Sequence, residues 1–279
     1  MKFGLKVNPA TWDEATTWAG IAQEAGFDGL WTGDNMRNPR DPAIAVHDGP
    51  SLLAAWAATT TGIAIGLLIA NVVFRRPTVL AKQAVTLDHI SGGRFQLGIG
   101  SGVWPTDHAM SGVPMWPAAE RAARLGEFTG VVERLLSGDV SDHDGPYYPY
   151  RDAAMTPPPV QRRLPLIVAA NAPKALAVVA RHADGWVTFP GAAAEEDFHR
   201  ASAERIRTLD RLVREHDREP VRKILLAYGA VTPWASADAF ARTAERYGEL
   251  GFDEIVVYAP KPGERAVFDK VIDRLGDWR

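Results

Sequence analysis

The feature that most constrains this chain is an alternation sustained from end to end, in which short apolar or β-branched runs are each followed by a longer amphipathic segment. A parallel sheet covered by helices reads in this way. Eight such runs can be placed, at Lys2–Val7, Gly29–Thr32, Ile63–Ala70, Phe95–Gly100, Leu164–Ala169, Gly185–Phe189, Lys223–Val231 and Glu254–Tyr258. Several are apolar on both faces, as buried barrel strands should be. The helical segments stop at glycine: Asp13–Ala25 at Gly26, Thr78–Ile90 before Gly92 and Gly93, Ala118–Leu136 before Gly138, Pro173–His182 before Gly185, and Ala237–Leu250 before Gly251. Eight strand and helix pairs leave no room for an open doubly wound sheet with a second domain. The prediction is therefore an α/β chain forming a single (β/α)8 TIM barrel over residues 1–279.

Composition narrows the partners. With 31 basic and 34 acidic residues and a net charge of −3, the chain lacks the basic excess of a protein that binds phosphate backbones, so nucleic acid is not an expected partner. There is no cysteine, which excludes disulfides, thiolate metal sites and thiol nucleophiles, and leaves redox chemistry to a cofactor. The start, MKFGLKVNPATW, has no long apolar leader and reads as a first strand in a cytoplasmic protein. The longest apolar stretch, Gly62–Phe74, stops at Arg75 and Arg76, short of the ~20 residues that cross a bilayer. No membrane partner is expected.

Two segments at strand C-termini, Asp34–Gly49 and Ser101–Pro117, are too long for simple turns. Barrel enzymes keep their active sites at that face, and long loops there are usually functional. A third, Asp139–Arg163, starts on the opposite face and is expected to be structural or an interface. Gly98, Gly100, Ser101 and Gly102 end the fourth strand with a backbone that can turn its amides to an anion. The alternative is that these glycines only relieve crowding at the rim. Ala169, Ala170, Asn171 and Ala172 end the fifth strand and open a helix at Pro173, a second place where free amides could meet a phosphate. Asp34 closes strand two, and no other carboxylate or histidine stands at a strand end in the manner of a metal cluster, so no metal is expected. Trp31, Phe74, Trp104, Trp116 and Trp234 lie in or beside the loops; Trp104, Trp116 and Phe74 are the candidates for a substrate wall. Arg37, Arg40, Arg75 and Arg76 would make the mouth basic.

The segments LAKQAVTLDHISGGRFQLGIGSG (Leu80–Gly102) and PPPVQRRLPLIVAANAPKALAVVARHADGWV (Pro157–Val187) are the most specific in the chain. Through them, and more weakly through TWAGIAQEAGFDGLWTGDN and ERYGELGFDEIVVY, the sequence resembles the bacterial luciferase-like family of flavin- and deazaflavin-dependent oxidoreductases. The resemblance implies a coenzyme, F-420 (a deazaflavin) or FMN, at the C-terminal strand ends. It also implies a non-prolyl cis peptide near Leu68–Ile69 backing the ring, with Asp34, Gly100–Gly102 and Ala169–Ala172 around the coenzyme. Asp88, Arg94, Arg124 and Glu127 match family positions and are expected to form structural ion pairs, while His182, Asp184 and Trp186 read as scaffold. Two positions depart from the pattern: Asn35 stands where relatives frequently have histidine, and Val103 and Trp104 stand where an acidic residue is expected. The proton donors or acceptors are then sought among Asp34, His47, Asp107 and His108.

The leading expectation is hydride transfer between F-420 or FMN and a small organic substrate. The shortness of the chain favours the deazaflavin. The alternative is an FMN-dependent monooxygenase using O2 with a separate reductase, and a third reading is a non-catalytic flavin-binding relative. Candidate partners are the small-molecule substrate, a second copy of the chain in a homodimer, and a flavin or deazaflavin reductase.

Overall fold

In the computed structural model, which describes residues 1–39 and 41–279, eight parallel strands close into a barrel. They are β1 (Lys2–Lys6), β2 (Gly29–Thr32), β3 (Ala64–Asn71), β4 (Phe95–Gly100), β7 (Leu166–Ala169), β8 (Gly185–Thr188), β9 (Arg222–Ala227) and β10 (Glu254–Tyr258). Two short strands, β5 (Ser141–His143) and β6 (Tyr150–Ala153), pair as a separate antiparallel sheet. The barrel order is β1-β10-β9-β8-β7-β4-β3-β2, and pairing of Lys2–Lys6 with Glu254–Tyr258 closes it. The helices are α1 (Trp12–Glu24), α2 (Gly49–Thr59), α3 (Pro77–Ser91), α4 (Pro105–Met110), α5 (Ala118–Leu136), α6 (Pro173–His182), α7 (Glu195–Glu215), α8 (Ala237–Glu249) and α9 (Arg265–Ile272). No helix among the described residues is long and apolar enough to cross a membrane.

Each of the eight expected runs is a barrel strand; β2, β4 and β10 have the expected ends, and the other five are shifted. The seventh stops at Ala227 instead of Val231, because Gly229 takes a positive φ of 68° and Val231 N–H turns back to Tyr228 O. The loop after β2 ends where expected, since Asp48 caps Ser51 N at 2.9 Å and starts α2 at Gly49. The loop after β4 holds the short helix α4.

The barrel interior is filled from its N-terminal end by Trp31, which packs with Ile167, Val187, Ile224 and Val256. An indole fits there only because its neighbours have no side chain: a Cβ on Gly4, Gly29 or Gly66 would lie 2.5, 2.7 or 2.3 Å from the Trp31 ring. The larger core lies between barrel and helices, where Phe3, Leu5 and Val7 on one side of β1 meet the helical layer.

The 139–163 segment starts at the face opposite the site and makes structural contacts. It climbs back along α5: Glu127 accepts the amides of Tyr147 and Tyr148 at 3.1 and 2.7 Å, and Arg76 donates to Tyr147 O and Pro149 O at 3.3 and 3.0 Å. Its tip therefore stands beside the first turn of α3, towards the C-terminal face. Of the residues expected in structural ion pairs, Arg124 pairs with Glu120 at 2.8 Å and Glu127 meets His143 at 3.2 Å. Arg94 instead satisfies the carbonyls of Ala57, Thr60, Ile63 and Ser91, Asp88 holds Gln161 through its amide N–H and side chain, and Glu127 holds backbone together with His143. His182 binds Glu133 at 2.8 Å, Asp184 accepts Leu166 N at 3.0 Å, and Trp186 Nε1 donates to Ala170 O at 2.7 Å, all as scaffold.

Candidate active site

Alternation along β1 turns Gly4 and Lys6 inward, and Lys6 is buried at the C-terminal mouth, 4% exposed. Its ammonium donates to Leu68 O and lies 5.8 Å from the Tyr258 ring centroid. Burial pushes the Lys6 amine down to about 7, with the nearby Asp34 carboxylate opposing the shift. Asp34, also buried, is grasped by both terminal nitrogens of Arg75 and accepts Asn71 N at 3.2 Å. Asn71 then donates from Nδ2 to Asp107 Oδ2 at 2.9 Å and accepts Val73 N at 3.0 Å. Asp107 is fully buried and its Oδ1 has no hydrogen-bond partner among the described residues. Burial first, then the charge of Asp34, raise its carboxyl to about 6, against the opposing pull of His108 and of the Asn71 and Asn35 amides, the latter acting from outside hydrogen-bond geometry.

The peptide bond between Leu68 and Ile69 is cis, and the β3–β4 register shifts there, between Leu67 and Ala70. The glycines of β4 answer that step. A Cβ on Gly98 would lie 2.3 Å from Leu67 O, one on Gly100 1.8 Å from Ile69 Cδ1, and one on Gly102, at φ 68°, 2.4 Å from Val73 and 2.8 Å from Asn71 Oδ1. Close packing on β3 is sufficient reason for all three.

Asp34, Leu68, Ile69, Gly100, Ser101, Gly102 and Asp107 thus gather at one end of the barrel. Ala169 joins the same inner cluster as Ile69, and Ala170 N bonds to Val187 O. The Asn171 side chain is occupied, donating to Phe189 O at 3.2 Å and accepting Thr188 Oγ1 at 2.7 Å. Ala172 starts α6 with no side-chain cap, leaving amides of the first turn to be met from outside.

Several expected roles change. His108 is buried with Nδ1 on Pro114 O at 2.9 Å and Nε2 on Gly102 O at 3.1 Å, so it ties down the loop and has no free nitrogen for a substrate. Trp116 is no open wall: its ring lies 4.1 Å from the Arg124 guanidinium and meets His108 edge-on at 4.8 Å. Trp104 is exposed and Phe74 half-buried at the rim. His47 is exposed and lines a small cavity of about 10 Å³ with Asn8, Thr32, Gly33 and Asn35. The mouth is less basic than expected, because Arg75 is neutralised by Asp34 and Arg76 bonds to backbone. Arg37 is exposed, and Arg40 lies outside the described residues.

Lys6 and Asn71 were not singled out from the sequence. A lysine at an inward position of an otherwise apolar strand was the available signal for the first; the second has no local signal.

Half-buried Ile69, Ala169, Phe189, Tyr228 and Tyr258 form an apolar floor over the inner cluster. Phe189 stacks on Tyr228 at 6.0 Å, and Tyr228 meets Tyr258 edge-on at 5.8 Å. A flat aromatic ring fits such a floor, and the buried charges beside it supply polar partners for its edge. A larger groove, about 510 Å³, lies outside the barrel between α2 and α3, lined by Ala54, Val79, Leu87 and Ile90. Lys6, Asp34, Asp107 and His108, four of the buried titratable groups, are at the mouth, and the mouth is the candidate site.

This fold and site geometry define a (β/α)8 barrel with a cluster of buried charged groups at the C-terminal ends of its strands. The luciferase-like monooxygenase family model matches residues 2–247, and the chain belongs to that family. It is similar to an F420-dependent glucose-6-phosphate dehydrogenase of Beutenbergia cavernae, 33% identical over 173 residues, covering 61% of this chain and 51% of that protein. A protein of the same name from Microbacterium testaceum is 30% identical over 198 residues, covering 68% of this chain and 57% of that one. The chain spans about half the length of the curated relatives it matches. Among solved structures it resembles an F420-dependent secondary alcohol dehydrogenase in complex with an F420-acetone adduct, at TM-score 0.87 and 18% identity over 100% of this chain and 99% of that one. A Pseudomonas putida type II Baeyer-Villiger monooxygenase component in complex with FMN follows at TM-score 0.74 and 16% identity, over 98% and 96%. At these identities the likeness is one of fold.

Proposed function

We propose that this chain is an oxidoreductase that transfers a hydride between deazaflavin F-420 and a small alcohol or carbonyl compound. The observation that carries the reading is the buried Lys6–Asp34–Asn71–Asp107 cluster packed behind the Leu68–Ile69 step, beside an apolar floor, at the barrel mouth. The names of the curated relatives favour the deazaflavin over FMN. When bound, such a coenzyme exchanges a hydride at a ring carbon. On this reading Ile69, Ala169, Phe189 and Tyr228 carry the ring and exclude water, while Ser101, Gly102 and the first turn of α6 receive the anionic tail. Asp34 and Asp107 are held inside the wall and set its charge. Of the four candidate proton carriers, His47 alone is open to solvent at the mouth cavity, so its imidazole takes the hydroxyl proton of an alcohol or returns it to a carbonyl.

The test is titration of the purified protein with F-420 and with FMN, followed by anaerobic turnover against small alcohols, carbonyls and activated alkenes. F-420 binding with oxygen-independent turnover is expected. Uptake of FMN alone, with product only when O2 and a reductase are supplied, would replace this reading with the monooxygenase.

A further inference from the structure

Lys6 sits where the coenzyme seat, as read above, meets the barrel interior. From β3 it faces the Leu68 carbonyl, from the end of β2 Asp34 and Gly33, and from β10 the Tyr258 ring. Arg75 lies on the far side of Asp34, and Asp107 stands one amide further off, behind Asn71. Asp34 is already neutralised by Arg75, so Lys6 is not needed to balance it. An ammonium kept in a buried position, beside an anion that has its own partner, is explained if a further anionic or acceptor edge is to meet it.

The geometry points to Lys6 as a positioning residue of the coenzyme site, holding the Leu68–Ile69 step through the Leu68 carbonyl and presenting its positive charge to the polar edge of the redox ring. This rests on the proposed coenzyme reading. Because burial brings the Lys6 amine down to about 7, coenzyme affinity should depend on pH: strongest where Lys6 is protonated, and falling as pH rises above about 7. A bound acceptor edge draws the amine's pKa upward, so the fall extends over the range between the free and bound values.

The experiment is F-420 affinity, read by fluorescence from pH 5.5 to 9, for wild type, Lys6→Arg, Lys6→Met and Asp107→Asn. The coenzyme's own ionisation is common to all four and cancels in the comparison. Lys6→Arg should remove the step above pH 7, because a guanidinium stays charged. Lys6→Met should bind about tenfold more weakly at pH 6, the scale of one charge-assisted hydrogen bond, and also show no step. Asp107→Asn should keep the step, which assigns it to the lysine. If wild type binds F-420 and Lys6→Arg titrates in parallel with it, the inference fails while the coenzyme reading stands. If wild type binds neither F-420 nor FMN, both fail. Should Lys6→Met not fold, Lys6→Arg and the wild-type profile still decide the matter.

Discussion

Asp107→Asn isolates the cost of burying a carboxylate on the inner side of α4. Asp107 is fully buried, and burial together with Asp34 raises its pKa from 3.8 to about 6. A carboxyl whose native pKa lies above its unfolded value binds its proton more tightly in the folded state. Its contribution to stability is therefore fully present below about pH 4 and is lost as pH rises through about 6. The interval from 3.8 to about 6 corresponds to about 3 kcal/mol as an upper figure. An effective interior dielectric well above that of dry protein screens part of that, leaving ~2 kcal/mol. Asparagine keeps a side-chain oxygen for Asn71 Nδ2 and carries no charge. The variant should match wild type near pH 4 and be ~2 kcal/mol more stable at pH 7.5. Urea unfolding at a series of pH values measures this, and the difference between the two proteins at each pH cancels every other carboxylate. A difference that is constant from pH 4 to pH 7.5, or a wild type more stable at pH 7.5, would refute the assignment.

Arg75→Met should cost about 3–5 kcal/mol in thermal or chemical unfolding, because it leaves the Asp34 carboxylate buried without its cation; adding Asp34→Asn to the same chain should recover most of the loss. Gly66→Ala places a methyl 2.3 Å from the Trp31 ring and 2.8 Å from Gln96 O. About 2–3 kcal/mol of destabilisation is expected, with partial recovery when Trp31→Phe is added, and a variant as stable as wild type would show that the interior is not filled as described. His47→Gln should lower kcat about 100-fold in anaerobic turnover and leave F-420 affinity unchanged; a loss below about threefold would remove His47 from the proton path.

The barrel was legible because its evidence is local: each strand carries its own apolar run, and five of the helices stop at or just before a glycine. The site was legible only in part, because its bonds join distant positions. Asp34 and Arg75 are 41 residues apart, Asn71 and Asp107 36, and nothing in either stretch says which partner the other will be. Arginine counting misled for the same reason, since Arg75 and Arg76 meet their acceptors only after the chain has folded. Trp116 had the surroundings of an open wall, and Arg124, eight positions on, covers it because α5 turns that guanidinium back over the ring. The glycines of β4 show the opposite limit. Read as room for a phosphate, they are already required by the step in β3, so their presence does not discriminate between a binding loop and a packed one. Lys6 was within reach: in KFGLKV the residues facing the helices are Phe3, Leu5 and Val7, which leaves the lysine pointing into the barrel. An ionisable side chain on the inner face of a barrel strand, near its C-terminal end, has no solvent to neutralise it and no room to turn away. The alternation that predicts the strand thus also marks where its chemistry must lie.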